Sequence, residues 1–240
     1  MKLNLGKAWT DAIALFRGQT EILLVLAGVF LLLPALAAGF FMPFARSDSR
    51  ELAVLLAELR AYFEQYGYWI FLIGLITSFG QVAILKILLD RARPTVGEAL
   101  AASIRILPWF YLANIFTSFL VGLGGLFLIV PGLYLLGRTA LTAVVIVGEG
   151  YRNPVDAIRR SFAVSHGNGW AILFLIAIVF VTGFIVTAAL GSVVGVLAAL
   201  GTSATLALFL TSLIDALSGA VLGLIMLMVY VAAYRQLSGR

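Results

Sequence analysis

The sequence contains no cysteine and only one histidine in its 240 residues. The missing thiols exclude disulfide bonds, thiolate metal sites and cysteine nucleophiles. The single histidine, His166, stands in a short polar segment and lacks the second histidine that a zinc site would need. Acid/base catalysis also needs several converging titratable groups, and only one carboxylate lies deep in an apolar stretch. We therefore expect no enzyme active site, metal centre or cofactor.

Charged residues are scarce as well, at 11% of the chain, whereas 62% is hydrophobic. Soluble domains carry about a quarter charged residues, so water is the wrong solvent for this composition. In lipid every backbone N–H and C=O must be paired within the protein, which leaves helices or closed barrels. The apolar runs lack the two-residue alternation of barrel strands. The sequence therefore predicts an all-α integral membrane protein.

The apolar runs predict about six transmembrane helices, arranged as three hairpins. They lie at residues 22–44, 68–89, 109–148 and 170–234. The last two runs are each long enough for two spans. A turn is predicted at Val130-Pro131-Gly132, because proline cannot donate within a helix and glycine tolerates turn geometry. The second turn is predicted within the glycine- and serine-containing stretch 191–203.

Amphipathic segments separate the spans. Residues 2–16, 95–107 and 152–165 have apolar residues at helical spacing and predict helices that lie in the headgroup plane on the inner side. Thr95 and Glu98 have the spacing of a capping box, which marks a helix start. Residues 48–66 predict a further amphipathic helix on the outer side.

A short pattern recurs before each pair of spans. Asp-Ala-Ile begins at residue 11, Glu-Ala-Leu at residue 98 and Asp-Ala-Ile at residue 156. The pattern predicts three parallel repeats within a single membrane domain, at residues 1–90, 91–150 and 151–240. Asp-Ala-Leu also occurs at residues 215–217, inside an apolar run. The repeats are therefore predicted from the position of the pattern before each pair of spans and not from the pattern alone.

The basic residues predict the orientation of the chain, because lysine and arginine are enriched in cytoplasmic segments. With the N-terminus inside, the outer segments hold only Arg46, Arg50 and Arg60. The inner segments hold Lys2, Lys7, Arg17, Lys86, Arg91, Arg93, Arg105, Arg152, Arg159, Arg160, Arg235 and Arg240. Both termini are therefore predicted to be cytoplasmic. This topology explains the net charge of +5 without nucleic acid as a partner.

The second half of the chain resembles a known family. Residues 131–138 read PGLYLLGR, 144–150 read VVIVGEG, 156–162 read DAIRRSF and 167–170 read GNGW. These stretches resemble the membrane domain of bacterial glycerophosphoryl diester phosphodiesterases and the related YciC-type inner-membrane proteins. The resemblance implies a multi-pass protein of the bacterial inner membrane. It does not imply phosphodiesterase activity, because in the fused members catalysis belongs to a separate soluble barrel that this chain does not contain.

Four polar residues fall inside the predicted spans: Arg138, Asp215, Gln81 and Asn114. An arginine in mid-membrane costs about 2.5–3.5 kcal/mol on insertion scales, so it needs a partner or a route to water. Arg138 either extends to the outer headgroups or forms an ion pair with Asp215 in the outer leaflet. Gln81 and Asn114 are more simply explained by hydrogen bonds to neighbouring helices than by solute binding.

Five arginines of the inner segments are candidates for binding anionic lipid headgroups. They are Arg91, Arg93, Arg105, Arg159 and Arg160. The expected partners are thus membrane lipids on the cytoplasmic side, with a protein partner or a second copy of the chain as a further possibility. The carboxylates Asp11, Glu98 and Asp156 are better explained as helix caps.

These features favour a non-catalytic multi-pass protein of the inner membrane, which organises the envelope or serves as the membrane subunit of a partner. The alternative is a transporter or channel for a small solute or lipid, which the possible repeats and Arg138 favour. The interior distinguishes the two. A continuous polar cavity that reaches Arg138, Gln81 or Asn114 would favour transport, and a dry, tightly packed bundle would favour the non-catalytic protein.

The topology generates the first testable prediction. Reporters that work only in the cytoplasm should be active when fused to either end of the chain, because the positive-inside bias places both ends there. A reporter of the opposite type, which works only outside the cytoplasm, should be active when it is fused after residue 50. Opposite locations for the two ends would contradict an even number of spans.

Overall fold

The computed structural model describes residues 2–43, 51–90, 92, 94–201 and 203–239. All the regular secondary structure in these ranges is helical. A π-helical turn, Gly28–Leu32, joins the second and third helices. The helices are α1 (Leu5–Gly18), α2 (Thr20–Ala27), α3 (Leu33–Phe41), α4 (Leu52–Leu89), α5 (Val96–Phe127), α6 (Ile129–Thr139), α7 (Thr142–Glu149), α8 (Pro154–Val164), α9 (Gly169–Ala199) and α10 (Ala204–Ser238).

Six helical stretches are long and apolar enough to cross a membrane, which confirms the predicted all-α membrane fold with six spans. The first stretch combines α2, the π-helical turn and α3, and the fourth combines α6 and α7. The stretches are Thr20–Phe41, Leu52–Leu89, Val96–Leu126, Ile129–Glu149, Gly169–Leu197 and Ala204–Ser238.

The predicted outer amphipathic helix is not a separate element. Its described residues form the first part of α4, which continues without a break from Leu52 to Leu89. No proline interrupts this stretch, and Gly67 lies within regular helix. At 1.5 Å per residue the 38 residues of α4 extend about 57 Å. That length exceeds a hydrocarbon core of about 30 Å, so part of α4 projects beyond the span.

The predicted inner helix at residues 95–107 is also continuous with the span that follows it. The capping box is present, because the Glu98 N–H donates to Thr95 Oγ1 at 3.3 Å and the Thr95 N–H donates to Glu98 Oε2 at 2.8 Å. From there α5 runs through Pro108 to Phe127. The prediction of a separate flat helix was wrong, since Pro108 does not end the helix.

The turn between α5 and α6 lies just before the predicted position. Leu128 has an extended backbone (φ −159°, ψ 139°), and α6 already begins at Ile129. Pro131 is tolerated in the first turn of α6, where N–H groups have no intrahelical partner. Gly132 packs against α5 so closely that a Cβ there would lie 2.6 Å from the Gly125 nitrogen. The proline and glycine therefore permit a tight hairpin without forming its turn.

The turn between α9 and α10 lies at the end of the predicted stretch 191–203. Helix α9 continues to Ala199, and α10 begins at Ala204 after the Ser203 side chain caps its first turn. Gly201 has φ +97°, a conformation that other residues rarely adopt. The left-handed glycine, rather than the glycines at 191 and 195, therefore sets this turn.

The two ends of the chain meet at one side of the bundle, which we call the terminal face. The Leu3 N–H donates to Asn168 Oδ1 at 2.8 Å, and the Asn4 N–H donates to Gln236 Oε1 at 3.2 Å. Arg235 Nη2 donates to the Leu88 carbonyl oxygen at 2.6 Å. The terminal face therefore comprises α1, the start of α9 and the C-terminal ends of α4 and α10.

The buried core lies in the half of the bundle next to the terminal face. In α4 the buried residues run from Ser78 to Leu88, and in α10 they extend to Tyr234. Ala8 and Ala12 of α1 and most of α7 belong to the same core. The other half of the bundle exposes large apolar side chains such as Phe184 and Ile185. This distribution suits a protein whose outer surface contacts lipid instead of water.

The three predicted repeat units share one structural detail. The central alanine of each tripeptide, Ala12, Ala99 or Ala157, is buried with at most 4% of its surface exposed. Ser103 and Ser161, each four residues after the alanine of its own unit, are also fully buried. The pattern thus marks a packed helix face in each unit, and the three-repeat organisation stays a prediction.

The packing of α4 against the first span generates a prediction about two glycines. In Gly80→Ala the new Cβ would overlap Phe30 Cβ, which cannot rotate away because it is attached to the main chain. We expect a loss of about 1–3 kcal/mol in the free energy of unfolding, the usual cost of overpacking. Thermal unfolding in detergent would measure the change.

Gly67→Ala in the same helix is the matched control. A Cβ at Gly67 meets nothing within 4 Å, so alanine there should leave the melting temperature unchanged or raise it slightly. Equal melting temperatures for the two variants would contradict the close contact between α4 and the π-helical turn.

Candidate functional site

Arg138 lies in the last turn of α6 and is buried, with 8% of its surface exposed. Its carbonyl oxygen accepts hydrogen bonds from the hydroxyls of Ser161, at 2.8 Å, and Ser165, at 3.2 Å. Because α6 ends at Thr139, the carbonyls of its last turn lack the donors that a continuing helix would supply. The two serines of the α8 segment supply them. The break between α6 and α7 is therefore the place where α8 attaches.

The Arg138 side chain enters a pocket of aromatic rings. Its guanidinium carbon lies 5.0 Å from the ring centre of Phe162 and 5.9 Å from that of Tyr134. The side chain crosses Gly169 so closely that a Cβ there would lie 2.8 Å from Arg138 Cδ. Nε and Nη1 are buried and have no hydrogen-bond partner among the described residues. Two aromatic rings therefore lie beside a cation of which these two donors are unsatisfied.

The predicted Arg138–Asp215 ion pair does not form in the structure. Arg138 lies beside Gly169 at the start of α9, whereas Asp215 is exposed near the start of α10. Helices α9 and α10 form an antiparallel hairpin in which Gly183 faces Leu222. Counted from this contact, Gly169 and Asp215 lie about 30 Å apart along the hairpin. The prediction failed because it placed both residues in the outer leaflet.

Gln81 and Asn114 are half-buried, in α4 and α5 respectively. Neither side chain makes a hydrogen bond within the part of the chain that the structure describes. The pockets described below do not include either residue. The structure therefore brings none of the four predicted intramembrane polar residues together.

The predicted lipid-contacting arginines divide into two kinds. Arg105 and Arg159 are exposed, as a headgroup contact requires. Arg160 instead forms an ion pair with Glu149, at 2.9 Å between Nε and Oε2. Arg91 and Arg93 lie outside the described residues.

Glu149 ties the end of α7 to two other helices. Arg160 Nη2 donates to its Oε1 at 3.1 Å, and the Tyr234 hydroxyl donates to the same oxygen at 2.7 Å. The hydrogen bond to Glu149 raises the pKa of the Arg160 guanidinium above its usual value, with a smaller opposing effect of burial. The Glu149 side chain is only 10% exposed, so these donors replace the water that would otherwise stabilise the carboxylate. Sequence spacing offered no signal for this cluster, because its members come from α7, α8 and α10.

Two adjacent pockets of about 580 Å³ each open at the terminal face. They share Asp90 and Arg235. The first is also lined by Lys7, Asp11, Gln19 and Gln236, and the second by Lys86 and Tyr234. Lys86 pairs with Asp90 at 3.3 Å, and the pKa of the Asp90 carboxyl is lowered first by its bond from the Ala92 N–H and then by Lys86.

A third pocket, of about 820 Å³, lies between the first part of α5 and the segment after α7. Arg105 and Arg152 supply positive charge that exceeds the single negative charge of Glu98, and Trp109 and the buried Ile146 line its apolar part. Tryptophan, tyrosine and arginine are the residues that membrane proteins place at the headgroup level. This arrangement can hold an amphipathic molecule that carries negative charge.

A fourth pocket, of about 400 Å³, lies between α9 and α10 and is almost entirely apolar. Its lining includes Trp9 of α1, Val186 of α9 and Leu217 of α10. No group of three histidine, aspartate or glutamate side chains that could hold a metal ion occurs among the described residues. The first two polar pockets therefore lie at the terminal face, and the pocket between α9 and α10 is suited to hydrocarbon.

The Glu149 cluster generates a prediction with a neighbouring control. Arg160→Gln leaves the nearly buried Glu149 carboxylate without its ion pair and should lower the free energy of unfolding by about 1–2 kcal/mol. The estimate is modest because the Arg160 side chain is itself 37% exposed. Arg159→Gln removes the same charge from an exposed position and should change stability by less than about 0.5 kcal/mol. Unfolding in a denaturing detergent would compare them, and equal losses would argue against the cluster.

Comparison with known proteins adds no relative. No family model, no curated protein and no solved structure matches the chain. The resemblance to the phosphodiesterase membrane domain therefore stays a prediction, and the roles of Arg138, Glu149 and Arg105 rest on their geometry alone.

Proposed function

We propose that the chain is a non-catalytic multi-pass protein of the bacterial inner membrane, with its terminal face in the cytoplasm. In this proposal it serves as the membrane subunit of a partner or organises the envelope, and it contacts anionic lipid on its inner side. The proposal includes membership of the YciC-type group on the basis of the sequence motifs. The observation that carries it is the separation of polar pockets at the terminal face from an apolar interior.

The distribution of charge supports a surface role. Lys7, Asp11, Asp90 and Arg235 line the open polar pockets, where a soluble partner or a lipid headgroup has access. The core between the spans is built of apolar residues packed without a polar path through the described pockets. A transport route would need polar groups along its length.

Lipid contact is supported by the pocket between α5 and the α7–α8 connection. Arg105 and Arg152 each contribute on the order of 1 kcal/mol of attraction to an anionic membrane surface. Trp109 and Ile146 offer an apolar wall to the acyl region of the same lipid. Together they fit a phospholipid better than a free soluble anion.

A transporter or channel is the second candidate, and the buried Arg138 is the observation that favours it. A transport centre near the midplane would bring the substrate to intramembrane polar groups. Gln81, Asn114 and Asp215 do not converge on Arg138, which weakens this candidate.

Purification in mild detergent tests the proposed function. The intact chain should carry anionic lipid or a protein partner, identified by mass spectrometry. Arg105→Gln combined with Arg152→Gln should retain less anionic lipid, because the pocket loses both cations. Arg60→Gln combined with Lys2→Gln removes the same charge from exposed positions outside the pocket and should have a smaller effect.

Two outcomes would contradict the proposal. One is a monomer that carries neither partner nor lipid in several detergents. The other is solute flux across vesicles that contain the purified protein, if Gln81→Leu or Asn114→Leu abolishes that flux while preserving the fold. The second outcome would favour the transporter.

A further inference from the structure

The Arg138 guanidinium is a buried cation without a carboxylate partner. Arg138 is more than nine-tenths buried, and its Nε and Nη1 atoms reach no acceptor. The ion pairs of the described residues are Arg60–Glu64, Lys86–Asp90 and Arg160–Glu149. Burying a charge is costly unless it is paired and hydrogen-bonded. The described part of the chain therefore does not supply the counter-charge that this side chain needs.

The aromatic rings around Arg138 meet only part of that need. Phe162 and Tyr134 attract the cation through their ring faces. Ring faces do not replace an oxygen as acceptor for the N–H groups in the guanidinium plane. The Nε and Nη1 donors therefore lack an oxygen acceptor among the described residues.

The start of α9 places a second positive feature beside Arg138. The Ile172 N–H donates to the Asn168 carbonyl oxygen at 3.0 Å, and no described hydrogen bond occupies the N–H groups of Gly169, Trp170 or Ala171. The Asn168 side chain does not cap this turn, because it bonds the Leu3 N–H and the His166 carbonyl oxygen. The first turn of a helix attracts anions through these amides and the helix dipole.

The surroundings indicate where the anion comes from. Trp170 is 56% exposed and packs against Tyr134, with 5.7 Å between ring centres and 45° between the ring planes. Phe174, one turn further along α9, is also 56% exposed. Exposed tryptophan and tyrosine beside an apolar helix surface mark the boundary between headgroups and acyl chains. A phosphate at this level belongs to a lipid headgroup.

We propose that Arg138 and the first turn of α9 bind the phosphate group of a phospholipid. The guanidinium donates to the phosphate oxygens, and the amides of the helix start contribute their positive end. The acyl chains lie along the exposed apolar surface that begins at Trp170 and Phe174. This site is distinct from the exposed arginines and does not depend on the proposed function.

Lipid-dependent thermal unfolding tests the site. Phosphatidylglycerol added to the detergent-purified protein should raise the melting temperature of the intact chain, and native mass spectrometry should detect the bound lipid. Arg138→Gln should weaken phosphatidylglycerol binding by about tenfold or more, because hydrogen bonds between charged groups are lost. Arg60→Gln removes a cation from an exposed i,i+4 pair and should respond as the intact chain does.

Inorganic phosphate tests whether the bound phosphate group belongs to a lipid or to a free phosphate ion. It should stabilise the protein far less than phosphatidylglycerol, because it gains nothing from the apolar surface. Equal stabilisation by inorganic phosphate would overturn the lipid assignment. Unchanged lipid binding in Arg138→Gln would overturn the site itself, whatever the outcome of the partner and flux experiments.

Arg138→Lys keeps the test informative if the glutamine variant fails to fold. Lysine retains the charge but loses the planar fork of donors that grips a phosphate from two sides. The site is supported if Arg138→Lys binds phosphatidylglycerol more weakly than the intact chain does while Arg60→Gln binds it as the intact chain does. Binding equal to the intact chain overturns it.

Discussion

The hydrogen bonds from Ser161 and Ser165 to the Arg138 carbonyl oxygen attach α8 to the break between α6 and α7. The other polar contacts of α8 depend on this attachment. A chain in hydrocarbon must pair its own backbone groups, and the fourth span interrupts its ladder between Thr139 and Thr142. A helix that ends in lipid without donors would carry a penalty of several kcal/mol. The α8 segment removes that penalty by presenting hydroxyls to the break. The position of α8 against the bundle is thus explained by the break between α6 and α7 in the fourth span.

This attachment explains why α8 has a face of small side chains. Ala157 and Ser161 are fully buried, so α8 approaches the end of α6 closely enough for hydroxyl groups to reach the Arg138 carbonyl oxygen. On the adjoining face Arg160 reaches Glu149 at the end of α7, and Tyr234 joins them from α10. The polar contacts of α8 therefore tie the fourth span to the last one. They do so in the half of the bundle that contains the buried core, next to the terminal face.

The fold class was predictable because it depends on composition and on long apolar runs, which are properties of whole segments. Helix boundaries were less predictable, since they depend on single residues in context. Pro108 does not end its helix, Pro131 lies in the first turn of a helix instead of breaking one, and Gly201 sets a turn that other glycines also suggested. Capping at Thr95 was predictable because both partners are local in sequence. The contact of Arg138 with Tyr134 is also local, because the two residues are four apart in α6, whereas its contact with Phe162 depends on the packing of α8, which no local pattern encodes.

Arg138 has a main-chain carbonyl oxygen and a guanidinium, and the two groups have different partners. The serines bind the carbonyl oxygen, whereas the guanidinium is the group that we propose binds a phosphate. The serines bind the main-chain carbonyl, so a changed side chain at position 138 keeps the acceptor of these two hydrogen bonds. The guanidinium contacts α8 through the ring of Phe162, and its Nε and Nη1 atoms have no hydrogen-bond partner among the described residues. A residue needed only for packing could be an apolar side chain of similar volume, at no desolvation cost. An arginine at this position therefore suits the proposed phosphate site better than a packing role, and its side chain lies against Gly169 at the start of α9.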